Sequence, residues 1–466
     1  MYEDDTRAEE TAAVGHLLGW ASASARAGVH DLPPRVIAKA LAVICDDIAA
    51  AIAASGEPEV RKVNALAVSR APGGGSTLLG APMEHVGREW AAAANAIAAN
   101  WLELDGGYRL ATCHGSLYTL PSALAELEVS GGTVGDVITA LVSSYEVVTR
   151  VARAYRPPLP LAAHPHATLS PLGSAAALAA ARKLDDVAFA DTVLSAATFS
   201  LNGPFSHAQQ GATIRNGWAG AGARLGFLAA DLVEAGLSGS TTALHDVFST
   251  SYGYPEVTSA LTGGLGDRYA IEDAYHKLYA CCQYLHSSVE AAYLLTRSEL
   301  ANVNRDDIVE IHVETHPLAR ALGTVDPSTV LGGKFSLPHA VSVVLATGSI
   351  APAVFSGELL HDPAVRALRA RVRISEWASL PEPPEDRPAK ISVTLRDGST
   401  REQTVLSAIG GPDRALTQEQ LISKFETVTA SRHPHFASVA QRFMKGERAD
   451  LDMPLSAFLS ALLSKG

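Results

Sequence analysis

Cysteine is scarce in this chain. Four thiols in 466 residues, Cys45, Cys113, Cys281 and Cys282, are too few and too unevenly spaced for a disulfide scaffold or a structural zinc site. The adjacent Cys281 and Cys282 read as small apolar residues of a core rather than as a redox pair. Charge is also sparse, at 18% of residues against 47% hydrophobic, which fits a soluble globular protein and excludes a disordered or fibrous one. No uninterrupted apolar run approaches the ~20 residues that a membrane span requires. A basic excess is missing: 37 Lys and Arg face 49 Asp and Glu, for a net charge of −12. That balance argues against nucleic acid or an anionic membrane as partner. It leaves room for a small anionic substrate, because a local cluster of cations can invert the field inside one cleft. The chain opens Met1-Tyr2-Glu3-Asp4-Asp5, acidic and without a basic segment before an apolar run, so a cytoplasmic location is expected.

What is present in quantity is alanine at helical spacing. The length exceeds one ordinary hydrophobic core, so two domains are expected. Residues 36–54, 89–102, 121–127, 134–155, 173–184, 188–201 and 217–235 carry the helical pattern. Alanine favours helix and lets helices approach closely. After about residue 268 the pattern changes. Residues 307–314 alternate polar and apolar with period two, as do 390–395 and 401–405, which flank the turn Asp397-Gly398-Ser399. Residues 371–375 form another candidate strand, and helices are expected over 284–297 and 338–346. The fold class is therefore mainly α: a large all-helical domain of residues 1–268 and 406–466, and a smaller α/β domain of residues 269–405. The helical tail, 417–463, returns to the first domain. Gly73-Gly74-Gly75, preceded by Pro72, lacks the strand and Lys-Ser/Thr context of a phosphate loop and reads as a surface turn. Pro381-Glu382-Pro383-Pro384 reads as a surface loop.

Chemistry concentrates in a few islands. Asp105, Tyr108, Arg109 and His114 sit in one glycine-punctuated loop between alanine-rich segments, where a helical protein can turn several polar groups toward one small substrate. His164-Pro165-His166, Arg215-Asn216-Gly217-Trp218 and His276-Lys277-Leu278-Tyr279 add acid/base groups and cations. His166 reads as incidental. His164 and His166 flank a proline in a loop, which is not metal-ligand geometry, so no metal is expected.

In order and spacing, these islands resemble the MmgE/PrpD family of 2-methylcitrate dehydratases, cis-aconitate decarboxylases and iminodisuccinate epimerases. The motifs are Leu104-Asp105-Gly106-Gly107-Tyr108-Arg109 through His114-Gly115, and His164-Pro165 followed by Gly173-Ser174-Ala175-Ala176. They continue with Gly211-Ala212-Thr213-Ile214-Arg215-Asn216 and Lys277-Leu278-Tyr279-Ala280-Cys281-Cys282-Gln283-Tyr284-Leu285-His286, and end with Lys334-Phe335-Ser336-Leu337-Pro338. The resemblance implies a helical domain closed by an α/β lid, a homodimer, and a site between the domains that acts on small di- or tricarboxylates without a cofactor. It casts Asp105 as a base or an anchor for a histidine, and His114 and His164 as proton-transfer groups. Lys277 is cast as a carboxylate holder or, with its pKa depressed by burial, as an acid or base. Tyr108, Arg109, Arg215, His286, Lys334 and Ser336 are cast as substrate-binding. Arg215 stands where dehydratase- and decarboxylase-type members generally show lysine. A guanidinium does not titrate near neutrality, so Arg215 suits a carboxylate clamp better than an acid. Gly106, Gly107 and Gly115 replace larger family residues, which implies a loop with more backbone freedom.

Dehydration, decarboxylation and epimerisation of such acids share one difficulty, a negative charge on the carbon beside a carboxylate. Fixed cations and hydrogen-bond donors in a dry cleft stabilise it. A dehydratase-type lyase is the first expectation, an epimerase or isomerase at the same site the second, and a cis-aconitate-type decarboxylase the third. A non-catalytic carboxylate-binding protein is less well served by two histidines and a lysine than by arginines.

Overall fold

The computed structural model describes residues 2–464, and helices dominate it. The first long helices, Tyr2–Ala27, Pro34–Ala54 and Pro58–Arg70, lead to a hairpin of β1 (Pro72–Leu78) and β2 (Ala81–Val86). The glycine run expected as a surface turn is thus part of a strand. Side chains from elsewhere hold its far end: Thr77 N–H donates to Glu128 Oε2 at 2.7 Å and Leu79 N–H to Asn95 Oδ1 at 2.9 Å. These tertiary bonds offset the poor strand propensity of glycine.

The helices Arg88–Trp101, Gly115–Ser130, Val134–Ala154, Ser170–Ala181 and Trp218–Glu234 then pack around one another. Small residues set the spacing. A Cβ on Gly222 would stand 2.3 Å from the Cβ of Ser170, so only glycine allows this approach of two helices. Polar groups caught in the contact are satisfied, as where Ser122 and Ser174 hydroxyls meet at 2.7 Å and Ser174 donates to Ala223 O. Leu421, Ile422, Phe425, Phe436, Phe443, Phe458 and Leu462 of the C-terminal helices join this same core. Each fully buried side chain of that size contributes roughly 1.5–3 kcal/mol.

A second core lies around a four-stranded sheet. Its strands are β5 (Ile308–Thr315), β6 (Val372–Glu376), β7 (Ala389–Leu395) and β8 (Thr400–Val405), in the order β6-β5-β7-β8. β5 runs parallel to β6 and antiparallel to β7. Ile391, Val393 and Leu395 on the inner face of β7 share this core with Val289, Ala292 and Leu295 of helix His286–Arg297, which packs on helix Leu337–Thr347. The period-two alternation of the sequence is this division into inner and outer faces. Between the two cores, β3 (Gly107–Tyr108) pairs antiparallel with β4 (Ala274–Tyr275). Among the described residues no helix is long and apolar enough to cross a membrane.

Candidate active site

The pairing of β3 with β4 brings the first island to the last. Gly107 lies opposite Tyr275, and because the strands are antiparallel, Asp105 just before β3 meets Lys277 just after β4. Helix Arg88–Trp101 ends a few residues earlier, and Glu103 then adopts φ +59°, a left-handed conformation rare for a residue with a side chain. That turn sends the Glu103 carboxylate into the same space as Asp105. A short helical turn, Thr213–Gly217, delivers Arg215, and His164 caps the one-turn helix Pro165–Thr168. The loop itself is buried and pinned: Gly106 N–H donates to Asp47 Oδ1 at 2.8 Å and Tyr108 N–H to Cys113 O at 2.9 Å. Backbone freedom is not what its glycines supply. A Cβ on Gly107 would stand 2.7 Å from Gln283 Oε1, and one on Gly115 2.6 Å from the Tyr145 ring, so close approach is the reason for both.

Four charges interlock at the centre, all of them buried. Glu103 accepts from Arg215 Nη1 through Oε1 and from Lys277 Nζ through Oε2 at 3.3 Å. Lys277 Nζ also reaches Asp105 Oδ1 at 3.4 Å. Burial alone would raise both carboxylates, but Arg215 and Lys277 hold Glu103 below its usual range, and Lys277 with His114 hold Asp105 far below its own. For Lys277, burial favours the neutral amine, yet Asp105 and Glu103 outweigh it and raise the pKa. The expectation that burial depresses this lysine is therefore corrected: two carboxylates fix it as a cation.

The histidines divide by their partners. An ionised Asp105 can only accept, so the 2.6 Å contact of its Oδ2 with His114 Nδ1 places the imidazole proton on Nδ1. In the neutral ring with that tautomer Nε2 carries a lone pair, and His114 lines the cavity. Two donors face His164: Arg215 Nε–H stands 3.2 Å from its Nε2, and the His166 N–H 3.2 Å from its Nδ1. A neutral imidazole can answer only one of them, and a protonated one neither. Burial and then Arg215 push the His164 pKa well below the ordinary value, so this ring stays neutral. His166, read as incidental, stands edge-on to His114 and His164 with centroids 4.7 Å and 4.5 Å away. Tyr118 OH meets its Nδ1 at 2.9 Å, while its buried Nε2 has no hydrogen-bond partner.

Asp105, His114, His164, Arg215 and Lys277 thus converge. The cavity they serve measures about 30 Å³ and is lined by Glu103, Thr112, His114, His164, Phe205, Arg215, Tyr284, Phe335 and Arg387, among others. Phe205 stacks on His164, and Phe335 lies under the Arg215 guanidinium at 5.0 Å. The remaining predicted residues face elsewhere. Tyr108 is buried against Tyr145 with its hydroxyl unpartnered. Arg109 bonds Asp386 Oδ1 at 2.6 Å and Pro384 O at 2.8 Å. His286 is held between Tyr275 OH at 2.9 Å and Cys281 O at 3.2 Å, and burial lowers its pKa to about 3. Lys334 Nζ donates to Leu102 O and Ala280 O at 2.9 and 3.1 Å. Ser336 caps helix Leu337–Thr347 through His339 N–H and donates to Thr324 O. Tyr108 apart, these polar groups hold main-chain carbonyls rather than line the cavity.

Three residues of the site escaped sequence reasoning. Glu103 carries a weak signal, a carboxylate two positions before Asp105. His166 has a similar one, two positions after His164. Arg387, in the loop after the proline run, has none. A metal could find ligands in two places among the described residues. Asp105, His114 and His166 offer atoms within 4.8 Å of one another, as do Glu10, His245 and Glu256. In the first set the direct bond between Asp105 and His114 already uses one atom of each.

Comparison with known proteins gives the family. The MmgE/PrpD N-terminal domain pattern matches residues 20–260 and the MmgE/PrpD C-terminal domain pattern residues 279–446. A cis-aconitate decarboxylase of Aspergillus terreus is 26% identical over 462 residues, covering 92% of this chain and 91% of that protein. A 2-methylcitrate dehydratase of Cupriavidus necator is 27% identical over 235 residues, 44% of this chain and 48% of that protein. By two family domains that together span most of its length, the chain belongs to the MmgE/PrpD family.

Proposed function

We propose that the protein is a lyase that removes water from a small hydroxylated di- or tricarboxylate through an enolate-like intermediate. The observation that carries this reading is the Asp105–His114 pair, in which the carboxylate holds the proton on Nδ1 and leaves Nε2 as a base at the cavity wall. His114 Nε2 takes a proton from the carbon beside a substrate carboxylate. The resulting imidazolium is stabilised by Asp105, and a positioned base of this kind contributes on the order of 10²–10⁴-fold. Arg215 and the cation of Lys277 stabilise the enolate in surroundings from which water is largely excluded. Nη2 of Arg215 has no acceptor among the described residues and is the donor available to substrate. The proton on His114 then leaves with the departing hydroxyl as water, which closes the cycle on an unsaturated acid. His164 stays neutral and orients Arg215.

Epimerisation with two bases needs a second proton-transfer group on the far side of the carbon. His164 is boxed between two donors, which supports the one-base lyase over that alternative. Decarboxylation is a second reading, favoured by the length over which the Aspergillus terreus relative aligns. A homodimer in the cytoplasm belongs to the same proposal, and light scattering of the purified protein tests the dimer. For the chemistry, the protein is incubated in heavy water with citrate-, malate- and succinate-like acids, 2-methylcitrate and cis-aconitate, and followed by proton NMR. New olefinic signals from a saturated hydroxy acid are expected. Carbon dioxide release from cis-aconitate would select the second reading. A complete lack of product and of deuterium uptake across the panel would overturn the lyase assignment.

A further inference from the structure

Inside the site the charges pair off, except at one residue. Glu103 and Asp105 answer Arg215 and Lys277, and Asp386 answers Arg109. Arg387 also lines the cavity, yet no carboxylate lies within ion-pair distance of it among the described residues. Its guanidinium rests over the Tyr284 ring at 5.2 Å, and Nη2 donates to Arg109 O at 3.3 Å. Its main chain is fixed, because Ser287 Oγ donates to Arg387 O at 2.6 Å and Thr315 Oγ1 to Pro388 O at 2.9 Å. Tyr284, the platform beneath the guanidinium, is itself tied to Thr112 through its hydroxyl at 2.9 Å. A half-buried cation with no ion pair of its own and a fixed mount suits an anion that arrives. Burial, followed by the repulsion of Arg109, lowers the Arg387 pKa, and the opposing pull of Tyr284 and Asp386 does not offset them.

A second space meets the cavity at this residue. It measures about 680 Å³, and four arginines, Arg109, Arg153, Arg156 and Arg387, stand on its wall with three aspartates, Asp273, Asp386 and Asp413. Arg387, Ala111 and Thr112 belong to both linings. Arg153 Nε is buried there without a hydrogen-bond partner. The larger space can hold a polycarboxylate; the smaller one admits little more than water.

We propose that Arg387 is the binding subsite for the substrate's second carboxylate, the one remote from the carbon that loses its proton, and that the larger space is the approach to it. The proposal rests on the carboxylate-lyase reading for the identity of the substrate. Specificity for di- and tricarboxylates over monocarboxylates then comes from Arg387, whereas Arg215 serves the carboxylate at the reacting carbon.

The test uses tricarballylate, a saturated tricarboxylate without a hydroxyl to lose, bound to the full-length protein in a calorimeter. Arg387→Gln is expected to weaken binding by about 10–100-fold, the range of a charge-assisted hydrogen bond. Arg387→Lys is expected to recover part of the loss, since it restores the charge without the planar fork. On any acid that is turned over, Arg387→Gln raises KM by a similar factor and changes kcat less than threefold. Wild-type protein that does not bind tricarballylate, or Arg387→Gln that binds it within twofold of wild type, overturns the subsite. The two readings fail separately. Wild-type binding of tricarballylate lost in Arg387→Gln, with no acid turned over, removes the lyase and supports the subsite. Turnover with an unchanged KM in Arg387→Gln removes the subsite and keeps the lyase.

Discussion

Replacing Asp105 by asparagine exchanges one oxygen for an amide nitrogen in a site where both oxygens are committed. Oδ2 accepts from His114 Nδ1 at 2.6 Å, and Oδ1 faces the Lys277 ammonium at 3.4 Å. The amide has two orientations, and each fails. With its NH₂ toward His114, the imidazole must accept at Nδ1, so the proton moves to Nε2 and the base at the cavity is lost. With its NH₂ toward Lys277, two donors confront each other in a buried site, and the charge that held the ammonium is gone. A charge-assisted bond of this kind is worth about 1.5–3 kcal/mol, and a positioned base about 10²–10⁴-fold in rate. The same carboxylate-to-amide exchange in a serine-protease triad costs about 10⁴-fold through the wrong tautomer. Asp105→Asn is therefore expected to lower kcat by roughly 10²–10³-fold while KM changes less than about fivefold. Steady-state rates on whichever acid the wild type dehydrates give both constants, with circular dichroism to confirm the fold. A variant that folds and keeps kcat within threefold of wild type would refute the assignment of His114 as base.

Glu103→Gln removes the carboxylate shared by Arg215 and Lys277 and leaves a buried cation uncompensated. A loss of about 3–5 kcal/mol is expected, read from the midpoint of urea unfolding; a shift under 1 kcal/mol would contradict it. Lys334→Met deletes the two bonds to Leu102 O and Ala280 O, so the melting temperature should fall while kcat and KM stay within about threefold of wild type. Asp47 sits beneath the loop, with one oxygen on Gly106 N–H and the other without a partner, and burial raises its pKa to about 7. An unfolded aspartate titrates near ~3.9. Its folded pKa is the higher one, so the stability it contributes is full below about pH 4 and is lost as pH rises through 7. Asp47→Asn removes that loss. Relative to wild type, the variant should gain stability between pH 4 and pH 8, by at most about 4 kcal/mol, whereas a difference independent of pH would show that Asp47 does not titrate there.

Much of the scaffold was legible because its patterns are local. The strands β5, β6, β7 and β8 follow a half-buried period of two, and the long helices follow alanine spacing; both can be read within ten or twenty residues. β1 was not legible, because Gly73, Gly74 and Gly75 have low strand propensity and the bonds that hold the hairpin come from Asn95 and Glu128. The convergence of Asp105 with Lys277, 172 residues apart, was visible only as motifs in register. Roles were harder than positions. Lys334, Ser336 and His286 carry the residue types of a binding site yet spend them on backbone and capping, since a buried loop must satisfy its carbonyls with whatever polar side chains are near. Arg387 shows the converse, because an arginine after a proline run looks like surface, whereas the fold half-buries it against Tyr284.

The paired charges constrain how a substrate can bind. Arg215 and Lys277 are already neutralised by Glu103 and Asp105, so an incoming carboxylate does not meet bare cations there. It can use Arg215 only at Nη2, while Nη1 stays on Glu103. Such a site gives up some ground-state attraction, and its fixed cations interact more strongly once negative charge moves onto the carbon and its carboxylate. Differential stabilisation of that later state raises kcat, which uniform attraction would not. The cavity of about 30 Å³ is smaller than any polycarboxylate. Arg109 joins the motif loop to Pro384 and Asp386, so the loop that leads to His114 and the loop that carries Arg387 are linked by one guanidinium.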